Sequence, residues 1–361
     1  MENDITLYKR NRELLKDKKY LISSENINFI LSTLPEENRD EARKVWLSRC
    51  DQNILDVKKE QMEIYLKSLN PFFIDKEKIL YDSLKIDILP NSTEFNASSH
   101  NFEKTILIHE ALPHIMALFC HYFSKSSSKG KNYITHPAAN SEFIFYLANL
   151  LSGKPEPIGN FPNLKLIYPD TSEDWEYSEK LTIACIHFVI LHEMGHIIHQ
   201  DEPSTSKPMN HAMEFAADKF AFDKSILIGA FGDKQIDIHC FAPLFSLCVM
   251  SLWNNSESNS HPTTYKRIEK MKEHYKNIEV FPKDALDFLF DFTDQVLATM
   301  EFMQEDFYER MCIVNNKPIK KTIELSLEAI MEHKMKIQMR NKICEFWMGE
   351  FSPHKSNNFG L

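Results

Sequence analysis

Only eight of the 361 residues are glycine. Glycine is the default residue wherever a turn needs positive φ, so a chain this poor in it is ill suited to a turn-rich all-β fold and favours long helices. Hydrophobic residues at 43% and aromatics at 12% are enough for a sizeable core without disulfides or a partner, which excludes disordered and collagen-like classes. The net charge of −10 argues against a nucleic-acid partner. Cys50, Cys120, Cys185, Cys240, Cys248, Cys312 and Cys344 are odd in number and lack C-x-x-C spacing, as expected of a reduced, cytoplasmic protein. The charged first twenty residues have no apolar run of a signal-peptide kind. Two apolar stretches, Ile183 to Ile198 and Phe241 to Trp253, read as buried helices and not as membrane spans, because the first carries His187, His192, Glu193 and His196 and the second is too short.

Along the chain, Glu36 to Leu69 has the apolar spacing of one or two amphipathic helices. A short strand is expected at Lys85 to Leu89, and the polar NSTEFNASSHN after it marks a boundary. Phe102 to about Tyr122 reads as a helical stretch interrupted or bent at Pro113. Its HEALPH string sets His109 and His114 five apart, off the spacing that chelates a metal. Leu164 to Tyr168 reads as a strand, with Thr171 or Ser172 capping the helix that follows. Further helices are expected over Pro262 to Tyr275, Asp284 to Met311 and Pro318 to about Met348. The organisation expected is an N-terminal helical region (1–95), a catalytic core (96–280) and a C-terminal helical region (281–361).

The chemistry concentrates in LHEMGHIIHQD, residues 191–201. His192 and His196 are four apart, so on a helix both imidazoles leave one face and can bind one ion. Glu193 emerges beside that face, where it can deprotonate a metal-activated water. This is the H-E-x-x-H zincin pattern, set in an apolar helix that can serve as a rigid platform. Gly195 leaves room for another segment to approach closely. A third ligand has to come from elsewhere, and Glu214 in NHAMEFAADKFAFD is the best candidate, on a helix that Asn210 can cap. Asp218, one turn on, is placed to accept a hydrogen bond from the outer nitrogen of a ligating histidine. Ala216 and Ala217 are small enough to let two helices pack around the ion. His199 stands two turns from His192, too far for the same ion, and His187 reads as a hydrogen-bonded core residue.

The ordered strings HEMGH, EFAAD and HPTTYKRI resemble those of the gluzincin peptidases, and within them the HtpX and CAAX-prenyl-protease family. The resemblance covers about Thr182 to Lys270. It implies a mainly α protein with a zincin-like α+β core: a small sheet, an active-site helix and additional helical regions. It implies Zn2+ held by His192, His196 and Glu214, with Glu193 as general base and Asp218 behind the ligands. His261 and Arg267 fall on the last motif, which the resemblance places near the catalytic site, where it helps organise the site or the transition-state oxygen, with Tyr265 a weaker candidate for the oxygen. The expected activity is that of a soluble zinc metalloendopeptidase acting on a protein or peptide, without nucleic acid and without stable membrane insertion; the oligomeric state is unknown. The competing reading is a non-catalytic regulatory or interaction protein that keeps a structural metal. An extended substrate is expected to pair with an edge strand, for which Leu164 to Tyr168 is the candidate.

Overall fold

The computed structural model describes residues 22, 24–90, 95–128, 137–152, 160–199, 211–232, 236–252, 262–278 and 283–314. It is a mainly helical protein with one small mixed sheet, the α+β arrangement expected of a metalloprotease-like core. Helices α1 (Ser24–Thr33), α2 (Arg39–Ser48), α3 (Ile54–Ser68) and α4 (Asp75–Ser83) precede strands β1 (Lys85–Leu89), β2 (Ala97–His100) and β3 (Thr105–His109). Seven further helices follow: α5 (Ala111–Ser128), α6 (Pro137–Leu151), α7 (Ser172–His199), α8 (His211–Phe231), α9 (Ile236–Ser251), α10 (Thr264–Lys276) and α11 (Lys283–Val314).

The sheet order is β1-β3-β2, with β1 parallel and β2 antiparallel to β3. Ile106, Leu107 and Ile108 are all buried, as suits a central strand covered on both faces. The boundary placed near residue 95 falls between two strands of this one sheet. The hydrophobic core is likewise continuous from Leu55 to Phe307, so residues before and after that boundary share it.

Three stretches differ from the sequence reading. Phe102 to Tyr122 is not one bent helix: β3 runs to His109, and α5 starts at Ala111. Pro113 therefore lies in the first turn of α5, where a missing amide hydrogen costs no helical bond. Leu164–Ile167 is a 3-10 turn and not a strand, with Leu164 and Ile167 buried three residues apart on one side and Lys165 exposed. The polar segment read as a boundary contains β2, whose sequence Ala-Ser-Ser-His has no apolar alternation to announce it. The helix expected beyond Pro318 lies outside the described residues.

α7 is the platform of the fold. Thr171 caps it, accepting from the Asp174 amide at 3.1 Å and donating to the Asp174 carboxylate at 2.8 Å. It is buried almost continuously from Leu181 to Ile197 between α5, α8 and α9. Among the described residues α7 alone is long and apolar enough to cross a membrane, and 83% of its apolar window is buried inside the protein. Histidines on and beside it are held by hydrogen bonds away from the site. His187 hydrogen-bonds Ser68 at 2.9 Å, on the other side of the helix from the site. His114 of α5, from the HEALPH string, hydrogen-bonds the Tyr146 hydroxyl at 2.8 Å. Desolvation lowers its pKa to about 4, so this half-buried imidazole is neutral.

The contact between α7 and α8 depends on a glycine. A Cβ on Gly195 would stand 3.0 Å from Ala217 Cα and 3.3 Å from Ala217 Cβ. Because the obstacle is backbone, it cannot rotate away, and Gly195→Ala has to push α8 off α7. We expect the substitution to lower stability by about 1–3 kcal/mol despite alanine's better helix propensity, read by denaturant unfolding. An unchanged or raised midpoint would show that the two helices are not held this closely.

Candidate metal centre

His192 and His196 leave α7 one turn apart and face the first turn of α8, where Glu214 lies. An acidic side chain is favoured there by the unpaired amides and positive end of the helix. Glu214 is 1% exposed, and both histidines are buried. The two Nε2 atoms are 3.1 Å apart; Glu214 Oε2 is 3.7 Å from His192 Nε2, and Oε1 is 3.6 Å from His196 Nε2. Tetrahedral zinc with bonds near 2.0–2.1 Å separates its ligand atoms by about 3.3 Å, so these distances bracket the edge of such a tetrahedron. Among the described residues this is the one group of three donors that converges closely enough for an ion.

The surroundings prepare the donors. His192 Nδ1–H donates to Asp218 Oδ1 at 2.9 Å, which fixes the tautomer and turns the Nε2 lone pair toward His196 and Glu214. Burial alone would lower the His192 pKa, but the bond and charge of Asp218 outweigh it and the net shift is upward. Burial, then the neighbouring His192, hold His196 down at about 3, which keeps its imidazole neutral. Lone pairs turned toward one another and toward a carboxylate, in a buried space, are a donor set that a divalent cation satisfies.

Arg267, on α10, completes the back wall. Its Nε donates to Asp218 Oδ2 at 2.8 Å and its Nη2 to Oδ1 at 2.6 Å, a bidentate pair, while Nη1 reaches to 3.8 Å from Glu214 Oε2. Although burial pushes the Asp218 carboxyl up, the guanidinium and these hydrogen bonds hold it well below the usual range. Arg267 is 5% exposed and stands behind the ligands, against Asp218. Its fork is engaged by the Asp218 carboxylate, which organises the site from behind the ligands. Tyr265 is 55% exposed. His261 lies outside the described residues, as does Asn210. His199 is exposed and packs edge-on against Phe220, away from the ligand set. A cavity of about 310 Å³ between α8 and α10 touches Asp218 and Arg267 but none of the three ligands.

Glu193 is buried beside His192, and burial raises its carboxyl pKa despite the opposing charge of His192. α7 packs against β2, so the strand carrying Ser99 lies beside this part of the helix, a neighbour that no spacing within the motif announces. The elements that carry the site are thus α7, α8, α10 and the edge strand of the sheet.

A buried His-Glu-x-x-His with a distal glutamate, on a helical scaffold with a small sheet, is a donor set able to hold a metal ion and consistent with a metallopeptidase mechanism. Residues 154–280 match the family model of Peptidase U49, a segment that includes His192, Glu193, His196, Glu214, Asp218 and Arg267. No curated protein and no solved structure matches the chain.

Proposed function

We propose that this protein is a zinc-dependent metalloendopeptidase that hydrolyses peptide bonds of a protein or peptide substrate. The observation that carries the reading is the convergence of His192, His196 and Glu214 with Glu193 beside them in one buried site. The peptidase family match over the same segment supports a proteinaceous substrate. The likeness to the HtpX and CAAX-prenyl-protease enzymes belongs to the proposal as well, supported by the order of the HEMGH and EFAAD strings and Arg267. So does a cytoplasmic setting, supported by six free cysteines among the described residues.

His192, His196 and Glu214 would hold the ion, which when bound supplies Lewis-acid polarisation of the scissile carbonyl and a water acidic enough to act at neutral pH. Glu193 accepts the proton of the attacking water on its carboxylate and returns it to the departing amide nitrogen. Its raised pKa suits both halves of that task, because a more basic carboxylate takes the proton more readily and burial keeps bulk water from competing for it. Asp218 keeps the His192 ring oriented, and Arg267 keeps Asp218 ionised. β2, and not the 3-10 turn at Leu164–Ile167, is the strand beside the site on which an extended substrate would pair.

Removal of metal by a chelator is expected to abolish cleavage of a peptide library, and one equivalent of zinc per chain is expected to restore it. Cleavage that survives complete metal removal would reject the reading. Stoichiometric zinc without cleavage would favour the structural-metal alternative.

A further inference from the structure

We propose that the cavity between α8 and α10 is a second binding site, which takes a small molecule with a flat aromatic body and a single anionic head. The inference goes beyond the peptidase reading and does not depend on it, because none of His192, His196 and Glu214 lines the cavity.

Size and lining set the body of the ligand. The volume of about 310 Å³ falls at the small end of the range that compact organic ligands occupy. Phe215 and Phe222 stand two turns apart on α8 and so share the face that lines the cavity, with Ala216 beside them. Met271 lines it from α10, and a thioether is well suited to the edge of an aromatic ring. The Phe222 ring is a fixed wall: it is fully buried, with the Tyr275 ring 4.0 Å away between centroids and the His274 ring edge-on at 5.2 Å. Carbon-lined walls give water few hydrogen bonds, so an apolar body is favoured between them.

Charge sets the head. Lys219 of α8 and Lys270 of α10 both line the cavity, and both are more than half exposed, which places them at its mouth. Each pairs with an acid on its own helix: Lys219 Nζ with Asp223 Oδ2 at 2.6 Å, and Lys270 Nζ with Glu273 Oε2 at 2.8 Å. Exposed pairs of this kind contribute little, so either ammonium can exchange its partner for the head of a ligand at small cost. Asp223 has its other oxygen on His274 Nε2 at 2.6 Å, and the Glu273 carboxylate is itself exposed and can turn to solvent. At the inner end lies the Asp218–Arg267 pair, whose charges already cancel. A molecule seated between the rings with its head on the two lysines would bridge α8 to α10 across the back of Asp218, the residue that orients His192. It would thereby hold the helix that carries Glu214 to the helix that carries Arg267.

The test uses full-length protein supplied with zinc and the probe naphthalene-2-sulfonate, whose head is a poor ligand for a metal, with methyl 2-naphthyl sulfone as its uncharged counterpart. Titration calorimetry is expected to show one saturable site for the sulfonate and binding of the sulfone weaker by about tenfold, the worth of a hydrogen bond to a charged group. Lys219→Gln combined with Lys270→Gln should weaken the sulfonate by about the same factor and leave the sulfone unchanged. Ala216→Leu, which fills the cavity, should abolish binding of both. The sulfonate should also raise the melting temperature of the wild type and not that of Ala216→Leu. Lys219 and Lys270 are exposed, so their double variant keeps the test decisive should Ala216→Leu not fold. A sulfone that binds as tightly as the sulfonate, or a double variant that binds the sulfonate like the wild type, would overturn the proposal. So would undiminished binding in folded Ala216→Leu, or no saturable binding up to millimolar probe. Peptide cleavage enters none of these readouts, so a protein that cleaves nothing would overturn the peptidase reading and leave this one standing.

Discussion

Glu193→Gln is expected to retain one zinc per chain and to lose peptide hydrolysis by about 10²- to 10⁴-fold, the usual contribution of a positioned general base. The amide is nearly isosteric with the carboxylate. It cannot take a proton from water. His192, His196 and Glu214 are untouched, so metal content should not change. The folded protein should not suffer either. Burial opposes the charged form of Glu193, and a neutral group at that position relieves the opposition. Metal analysis, thermal melting and digestion of a peptide library, run on the same preparations, separate these effects. Equal cleavage by wild type and Glu193→Gln would reject the assigned base.

Arg267→Met is expected to act on stability first. Glu193, Glu214 and Asp218 place three carboxyl groups in one buried region, and Arg267 is the cation that touches two of them. A divalent ion together with that guanidinium balances the three. Removing one partner of a buried, bidentate pair typically costs about 3–5 kcal/mol, because the other charge is left without compensation. The metal-free variant should therefore melt lower by on the order of 10 °C. Zinc should restore part of the loss by supplying positive charge to the same carboxylates. Arg267→Lys should recover little, since a single ammonium cannot make the two parallel bonds to Asp218. If Arg267 instead met the transition-state oxygen, Arg267→Met would melt like the wild type and lose only kcat. That result would contradict the geometry described above.

The site and the fold were unequally legible in the sequence, for physical reasons. Residues four apart on a helix share a face whatever the tertiary structure, so His192 with His196, and Glu214 with Asp218, could be paired by spacing alone. Gly195 opposite Ala217 follows from the same logic, small residues where two such faces must meet. Arg267 was reachable only through its resemblance to a motif, and the motif does not say which carboxylate the guanidinium grips. β2 was hidden because an edge strand with a polar outer side needs no apolar alternation, and Ala-Ser-Ser-His reads as a loop. The packing of β2 against α7 lay beyond reach for that reason: it is a property of sheet register and helix packing, both long-range. The same distance effect misled the reading of β3, whose apolar run ILI fits a buried helix as well as a central strand until β1 and β2 are seen to flank it.

The shortness of β2 also bears on how long a captured chain would stay. Only Ala97 and Ser99 face outward over its four residues, and the backbone then leaves the sheet through a turn in which Lys104 adopts a left-handed φ of 51°. On the proposed peptidase reading, a ladder of so few rungs would hold one extended segment without zipping along it and would let the severed halves leave quickly; it also gives two copies of the protein little edge on which to aggregate.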